Sequence, residues 1–222
     1  MPKMLPIKFI SLNKEYIELV NKNTPYQGLL MKIEDYKSDK VKFYVSPANS
    51  LGFMDGGIDL PLSRKIMPGI ESKLRTEIFK NCKKNLLGRK YLPIGSSIIV
   101  KHSETKYLVS APTMLLPQDV KNTMNAYYAS MAVLFNILIS NKNLIKNKDY
   151  EIIFTSMCCG CGKMSAQNSL NQTLKAIKDY ELYNPIKIND KYIFKEPNLN
   201  EQPNIYMNTE WKYINPINIS NL

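Results

Sequence analysis

Five of the nine glycines in this 222-residue chain fall in two short segments, Gly52, Gly56 and Gly57 in SLGFMDGGID and Gly160 and Gly162 in CCGCGK. Each segment follows a β-type run and precedes a helical pattern. Both loops are therefore expected beyond the carboxyl ends of strands, where open α/β sheets bind ligands. Glycine there lets the backbone approach a ligand and aim successive amides at phosphate oxygens, with the next helix N-terminus adding positive potential. Two such loops can grip a diphosphate between them. The plainer alternative is that the glycines only make tight turns, but two loops of the same kind favour a ligand.

The second loop also holds three of the four cysteines, Cys158, Cys159 and Cys161, with Cys82 the fourth. Adjacent and near-adjacent cysteines rarely satisfy disulfide geometry with one another, which argues against a stapled secreted scaffold. Tetrahedral zinc wants two separated ligand pairs, and Cys82 and the sole histidine, His102, have no second ligand at the usual short spacing. The expectation is free thiols lining a pocket, no metal and no cofactor. Charge offers a weaker cue. Thirty Lys and Arg against nineteen Asp and Glu give +11, which keeps nucleic acid among the candidate partners. Only three of those cations are Arg, however, and the bidentate contacts of sequence-specific readout lean on Arg.

The elements that must position these loops can be read from periodicity. A strand over Lys8 to Leu12 and a helix over Lys14 to Asn21 open the chain, followed by strands over Gly28 to Ile33 and Val41 to Val45. Helical spacing covers Leu60 to Met67 and Glu71 to Leu87, with Ile70, Leu74, Ile78 and Phe79 as one apolar stripe and Gly88 as the stop. Ser96 to Lys101 and Lys106 to Ser110 make a hairpin. A long apolar helix over Asn122 to Ser140 precedes a buried strand, Glu151 to Thr155, and an amphipathic helix over Ser165 to Tyr180 with Ser165 as its N-cap. Strands interleaved with long helices predict an α/β fold, a three-layer α/β/α sandwich around a mixed central sheet. No stretch is apolar for eighteen residues and the N-terminus lacks a signal-like core, so the reading is a soluble protein, without membrane contact, of the cytosol or nucleus. The domain is placed at residues 1–183. Residues 184–222, rich in Asn and Pro but carrying Ile193, Phe194, Tyr206, Trp211 and Tyr213, are expected to pack on it as an extension.

The stretch Val45 to Asp59, VSPANSLGFMDGGID, resembles the signature loop of macro domains: an Ala-Asn pair at a strand end, a glycine-rich turn, then an aliphatic-Asp pair. Ala48-Asn49 and Ile58-Asp59 fall at the matching interval. YLVSAPTM (Tyr107 to Met114) is similar to the family's central strand, and TSMCCGCGKMS (Thr155 to Ser165) to its second phosphate loop. The resemblance covers roughly residues 7–181. It implies an α/β/α module that binds ADP-ribose, several members of which hydrolyse ADP-ribose from proteins, nucleic acids or small metabolites.

Carried over residue by residue, the resemblance gives Asp35 the adenine amino group, a task for an acceptor. Asn49 takes the distal ribose, and Asp59 orients or deprotonates water at the anomeric carbon. The implied binding set also takes in Tyr36, Ala48, Gly56, Gly57, Ile58, Ser156, Cys158, Cys159, Gly160, Cys161 and Gly162. Ordinary alternatives stand beside these roles: a turn aspartate for Asp35, a turn cap for Asn49 and a helix-start cap for Asp59. The chain departs from the family where Met54 and Asp55 replace leading glycines, where LPLSRK (Leu60 to Lys65) lacks a histidine, and where cysteines occupy the second loop. Together these readings predict a monomer that binds ADP-ribose or an ADP-ribosylated substrate and hydrolyses the ADP-ribosyl bond, with Asn49 and Asp59 catalytic. The alternative is a reader without turnover.

Overall fold

The structure, a computed structural model, describes residues 4–82, 84 and 88–182, and the backbone of 186–188 and 191–193. The main sheet has six strands: β1 (Ile7–Ser11), β2 (Gln27–Leu30), β3 (Val41–Ser46), β4 (Ile98–Ser103), β5 (Lys106–Ser110) and β6 (Tyr150–Phe154). They lie in the order β2-β1-β6-β3-β5-β4, parallel except for the antiparallel β4–β5 pair. This is the mixed sheet expected.

Alternation along the central strands divides the core into two layers. Phe9, Phe43, Val45, Ile152 and Phe154 face one side, together with Tyr16, Ile17 and Val20 of α1 (Lys14–Asn23), Ala126, Ala129 and Val133 of α4 (Asn125–Phe135), and Leu170 and Ile177 of α5 (Ala166–Leu182). Ile10, Tyr44, Leu108 and Ile153 face the other, against Leu62 and Ile66 of a short helix, α2 (Asp59–Pro61) continued by a π-turn (Leu62–Ile66), and Ile70, Leu74 and Ile78 of α3 (Ile70–Asn81). A sheet buried on both faces between helices is the three-layer sandwich.

Two helix starts are capped by side chains, one of them the expected Ser165. The Asn13 side chain accepts from the Tyr16 amide at 3.0 Å and the Ser165 hydroxyl from the Asn168 amide at 3.2 Å, each satisfying a first-turn donor. Other boundaries differ from those expected. The helix expected to run to Leu87 ends at Asn81, because the chain becomes extended at Cys82, whose side chain is buried with Ile78 and Leu92. Phe79, placed in the apolar stripe, is exposed. β2 stops at Leu30, and a single 3₁₀ turn, Ile33–Asp35, follows. Among the described residues no helix is long and apolar enough to cross a membrane. In the segment assigned as an extension, β7 (Ile186–Ile188) and β8 (Lys191–Ile193) pair antiparallel. The expected packing of residues 184–222 on the domain otherwise lies outside the described residues.

Candidate functional site

A cleft of about 450 Å³ opens at the carboxyl ends of the parallel strands. Its walls come from the segments that leave those ends: Ser11 to Asn13 after β1, Met31 to Glu34 after β2, the Pro47–Asp59 loop after β3, Thr113, Met114 and Pro117 after β5, and Thr155 to Gly162 after β6. Convergence on one edge is a property of parallel strands, whose outgoing loops all emerge at the same end.

The first glycine loop is shaped by Asn49. Its Oδ1 accepts from the amides of Leu51 and Phe53 at 3.1 and 3.2 Å, and its Nδ2 donates to the Phe53 carbonyl at 2.8 Å. These bonds fix the turn, as Asx motifs do. Gly52, at φ +74°, sits where a Cβ would lie 2.7 Å from Ile78 Cδ1, so it is glycine for packing against α3. Met54 is fully buried in the α2–α3 layer, which explains an apolar residue at a position where the family signature has glycine. Gly56 and Gly57 line the cleft with open space around them, and the Gly56 carbonyl accepts from the Asp59 and Leu60 amides to start α2.

The second loop is held differently. Cys158 and Lys163 take left-handed backbone conformations at φ +63° and +54°, unusual for residues with a side chain. The Met164 amide donates to the Cys158 carbonyl at 3.1 Å, and the Val120 amide to the Gly162 carbonyl at 3.0 Å. A Cβ on Gly162 would meet the Cys158 carbonyl oxygen at 2.5 Å, whereas one on Gly160 would meet nothing. All four cysteines are free thiols, and Cys158, Cys159 and Cys161 line the cleft. Burial pushes the Cys158 thiol up to about 12 and raises that of half-buried Cys159, while Cys161 is exposed.

Asp59 is the buried acid of the cleft, with 8% of its surface exposed. The Ser46 hydroxyl, at the end of β3, donates to Asp59 Oδ1 at 2.5 Å. Burial raises this carboxyl to about 7. The Ser46 hydrogen bond opposes the shift, and the charges of Asp55 and Glu71 add to it. An acid poised near neutrality beside a ligand cleft suits proton transfer.

Among the expected site residues, Asn49, Gly56, Gly57, Ile58, Asp59, Ser156, Cys158, Cys159, Gly160, Cys161 and Gly162 all line the cleft. Asp35, Tyr36 and Ala48 do not. Successive residues of a 3₁₀ turn point about 120° apart, so Glu34 lines the cleft while Asp35 is exposed to solvent. Tyr36 donates its hydroxyl to Glu151 at 2.8 Å, at the far, amino end of β6. Ala48 is buried beneath the loop. Residues not anticipated include Glu34, whose carboxylate is held below its usual range by the hydrogen bond from Lys65 at 2.8 Å. The Ser11 and Ser156 hydroxyls meet at 3.0 Å, and Phe53 carries the Arg75 guanidinium 4.5 Å above its ring. Charged residues among the described lining are Lys32 against Glu34, Asp55 and Asp59. The excess of basic charge therefore lies elsewhere on the chain, and an anion in the cleft would be held mainly by backbone amides.

No protein-family model and no curated protein matches this sequence. Solved structures do. A mutant form of the Oceanobacillus iheyensis macrodomain is similar over 69% of this chain and 72% of that chain, at 16% identity and a TM-score of 0.51. Another mutant of that macrodomain, solved with ADPR, is similar over 66% of this chain and 73% of that one, at 17% identity and a TM-score of 0.49. The macrodomain of Mycobacterium tuberculosis DarG is similar over 65% and 85%, at 14% identity and a TM-score of 0.48. The six-stranded mixed sheet between helical layers, with its cleft at the strand ends, is the macrodomain fold.

Proposed function

We propose that the cleft binds ADP-ribose, free or attached to a carrier, and that the chain hydrolyses the ADP-ribosyl bond. The observation that carries this reading is Asp59: a buried acid, raised to about 7, on the wall that also bears the open glycines Gly56 and Gly57. The diphosphate lies between the amides of Gly56–Gly57 and those around Gly160, where no side chain intervenes. Glu34, which lines the cleft, accepts the adenine amino hydrogen. The distal ribose sits against Asn49, which has a second Nδ2 hydrogen beyond the one given to Phe53.

Asp59 as carboxylate takes a proton from a water that attacks the anomeric carbon. The bond from that carbon to the carrier breaks, and the carrier leaves with the bonding electrons. The substrate's own phosphate shares the base role with Asp59, and the loop amides hold the negative charge of the diphosphate in place. Free thiols suit a reducing compartment, the cytosol or nucleus, for a chain acting as a monomer.

One observation favours a second reading, a binder without turnover. Three hydrogen bonds commit the Asn49 amide to its own loop, which leaves less of it to orient a reacting ribose. A panel of ADP-ribosylated protein, ADP-ribosylated DNA and ADP-ribose 1''-phosphate, followed for product release, decides between the two. Release from at least one substrate supports hydrolysis. Calorimetric binding of ADP-ribose with no release supports the binder, and absence of binding overturns both.

A further inference from the structure

Ser46 closes β3 and Ser110 closes β5, and the two are Cα partners in the parallel register. Paired residues of a parallel ladder project from the same face of the sheet. Ser46 uses that face to donate to Asp59 Oδ1 at 2.5 Å, inside the protein. Ser110 is fully buried, and its hydroxyl has no hydrogen-bond partner. An unpaired hydroxyl at such a place is unusual, because burying a polar group without a partner is unfavourable.

We infer that Asp59, Ser46 and Ser110 form a hydrogen-bond chain whose direction reverses when Asp59 takes up a proton, which makes Ser46 and Ser110 the positioning residues of this acid. With Asp59 ionised, Ser46 spends its only hydrogen on the carboxylate, and Ser110 is idle. When a proton from cleft water binds Oδ1, the new O–H points at Ser46 Oγ, which accepts it. The Ser46 hydrogen must then swing away from Asp59, and its strand neighbour Ser110, whose hydroxyl is not bonded to Ser46 in this structure, becomes the acceptor by turning its side chain about χ1. One proton is gained from water, no covalent bond of the protein breaks, and the chain holds two hydrogen bonds in place of one. Ser46 is bonded in either state, whereas Ser110 gains a partner only in the acid and therefore favours it.

The other groups facing Asp59 are Asp55 from its own loop and Glu71 from α3, both acidic and both favouring the protonated form. Those charges act in either direction of the chain, so they set where the acid titrates and not how it responds to the two serines. The inference rests on Asp59 being the acid of the proposed site, but it concerns proton uptake and needs no turnover.

The test is a carboxyl-carbon NMR titration of the folded chain carrying labelled aspartate, with Asp59→Asn used to assign the resonance. Ser110→Ala should move the Asp59 midpoint to lower pH by about 0.4–1 pH unit, the worth of one hydrogen bond, and should leave it unmoved in a Ser46→Ala background, because Ser110 acts only through Ser46. No shift in Ser110→Ala, or an equal shift with and without Ser46, would overturn the chain. Should Ser110→Ala lose its fold, Ser110→Cys, whose sulfur is a weaker acceptor, should still move the midpoint downward. A protein that releases no product yet shows the Ser110→Ala shift only when Ser46 is present would end the hydrolase reading and leave this one standing.

Discussion

The two glycine loops share a sequence cue and a position in the fold, yet they are built on different physics. The Asn49–Asp59 loop is organised by one side-chain amide, plugged into the core by Met54, and ends on a buried acid. The Met157–Met164 loop has no such organiser. Left-handed backbone at Cys158 and Lys163 curls it, and contact of Gly162 with the Cys158 carbonyl closes it. Glycine therefore does two jobs. Gly52 and Gly162 are needed for space inside the protein, while Gly56, Gly57 and Gly160 leave open space towards the cleft. The first loop has the means for proton transfer, and the second supplies shape.

The most severe way to break that division is at Asp59. On a substrate the parent hydrolyses, Asp59→Asn is expected to keep most ADP-ribose affinity and to slow release by about 10²–10⁴-fold, the usual cost of losing a positioned base. Single-turnover kinetics beside calorimetry separates the two effects. Full activity in Asp59→Asn would leave the first loop with no more chemistry than the second.

The same acid should mark stability. Its folded carboxyl titrates at about 7, above the ordinary value of 3.8 that the unfolded chain retains. Between those values the folded state holds a proton that the unfolded state has lost, so the contribution is fully present below about pH 4 and disappears as pH rises through about 7. Parent stability should fall by on the order of a few kcal/mol across that window. Asp59→Asn should lack this fall, which urea unfolding at pH 5 and pH 8 measures. Equal slopes in parent and variant would show that Asp59 is ionised and solvated in the fold.

The second loop is tested by its two glycines. Gly162→Ala forces a Cβ to within 2.5 Å of backbone, and overpacking of this kind costs about 1–3 kcal/mol. Gly160→Ala meets nothing within 4 Å and should leave thermal stability unchanged while still weakening ADP-ribose binding. If both variants are equally stable, Gly162 is not the closure of the loop.

Much of the fold and of the first loop is legible in the sequence. The β-branched and aromatic run Val41 to Val45, the strand-end motif through Asp59 and the Ser165 cap are local signals, and local signals survive folding. What stays hidden depends on rotation or on contact between distant segments. Glu34 and Asp35 are neighbours in sequence, and only the phase of one 3₁₀ turn decides which of them faces the cleft. Ser46 and Ser110 are 64 residues apart and meet only through the β3–β5 register. Thr113 and Pro117 reach the site because β5 lies beside β3, a pairing that no periodicity discloses. The end of α3 at Cys82 escapes the helical pattern because the thiol's burial with Leu92, a tertiary contact, overrides that spacing.

The smallest effect concerns Asp55, an exposed acid on the wall of the first loop where the family signature carries glycine. It lies on the same cleft as the proposed diphosphate, and like charges there repel across solvent, which screens them strongly. Asp55→Asn should therefore tighten ADP-ribose binding by only about two- to threefold at low salt, and the gain should vanish near 1 M salt, where the screening length falls to about 3 Å. The substitution also removes one charge that raises the Asp59 carboxyl, so the midpoint of that acid should move slightly down. The second loop brings no acid to the cleft, so a matching change there, Cys161→Ser, should leave the salt dependence of binding as it was. Calorimetry at two salt concentrations reads the binding effects, and the carboxyl-carbon titration reads the midpoint. Weaker binding in Asp55→Asn would mean that this carboxylate accepts hydrogen bonds from the ligand, and the first loop would then touch the ribose and not the diphosphate.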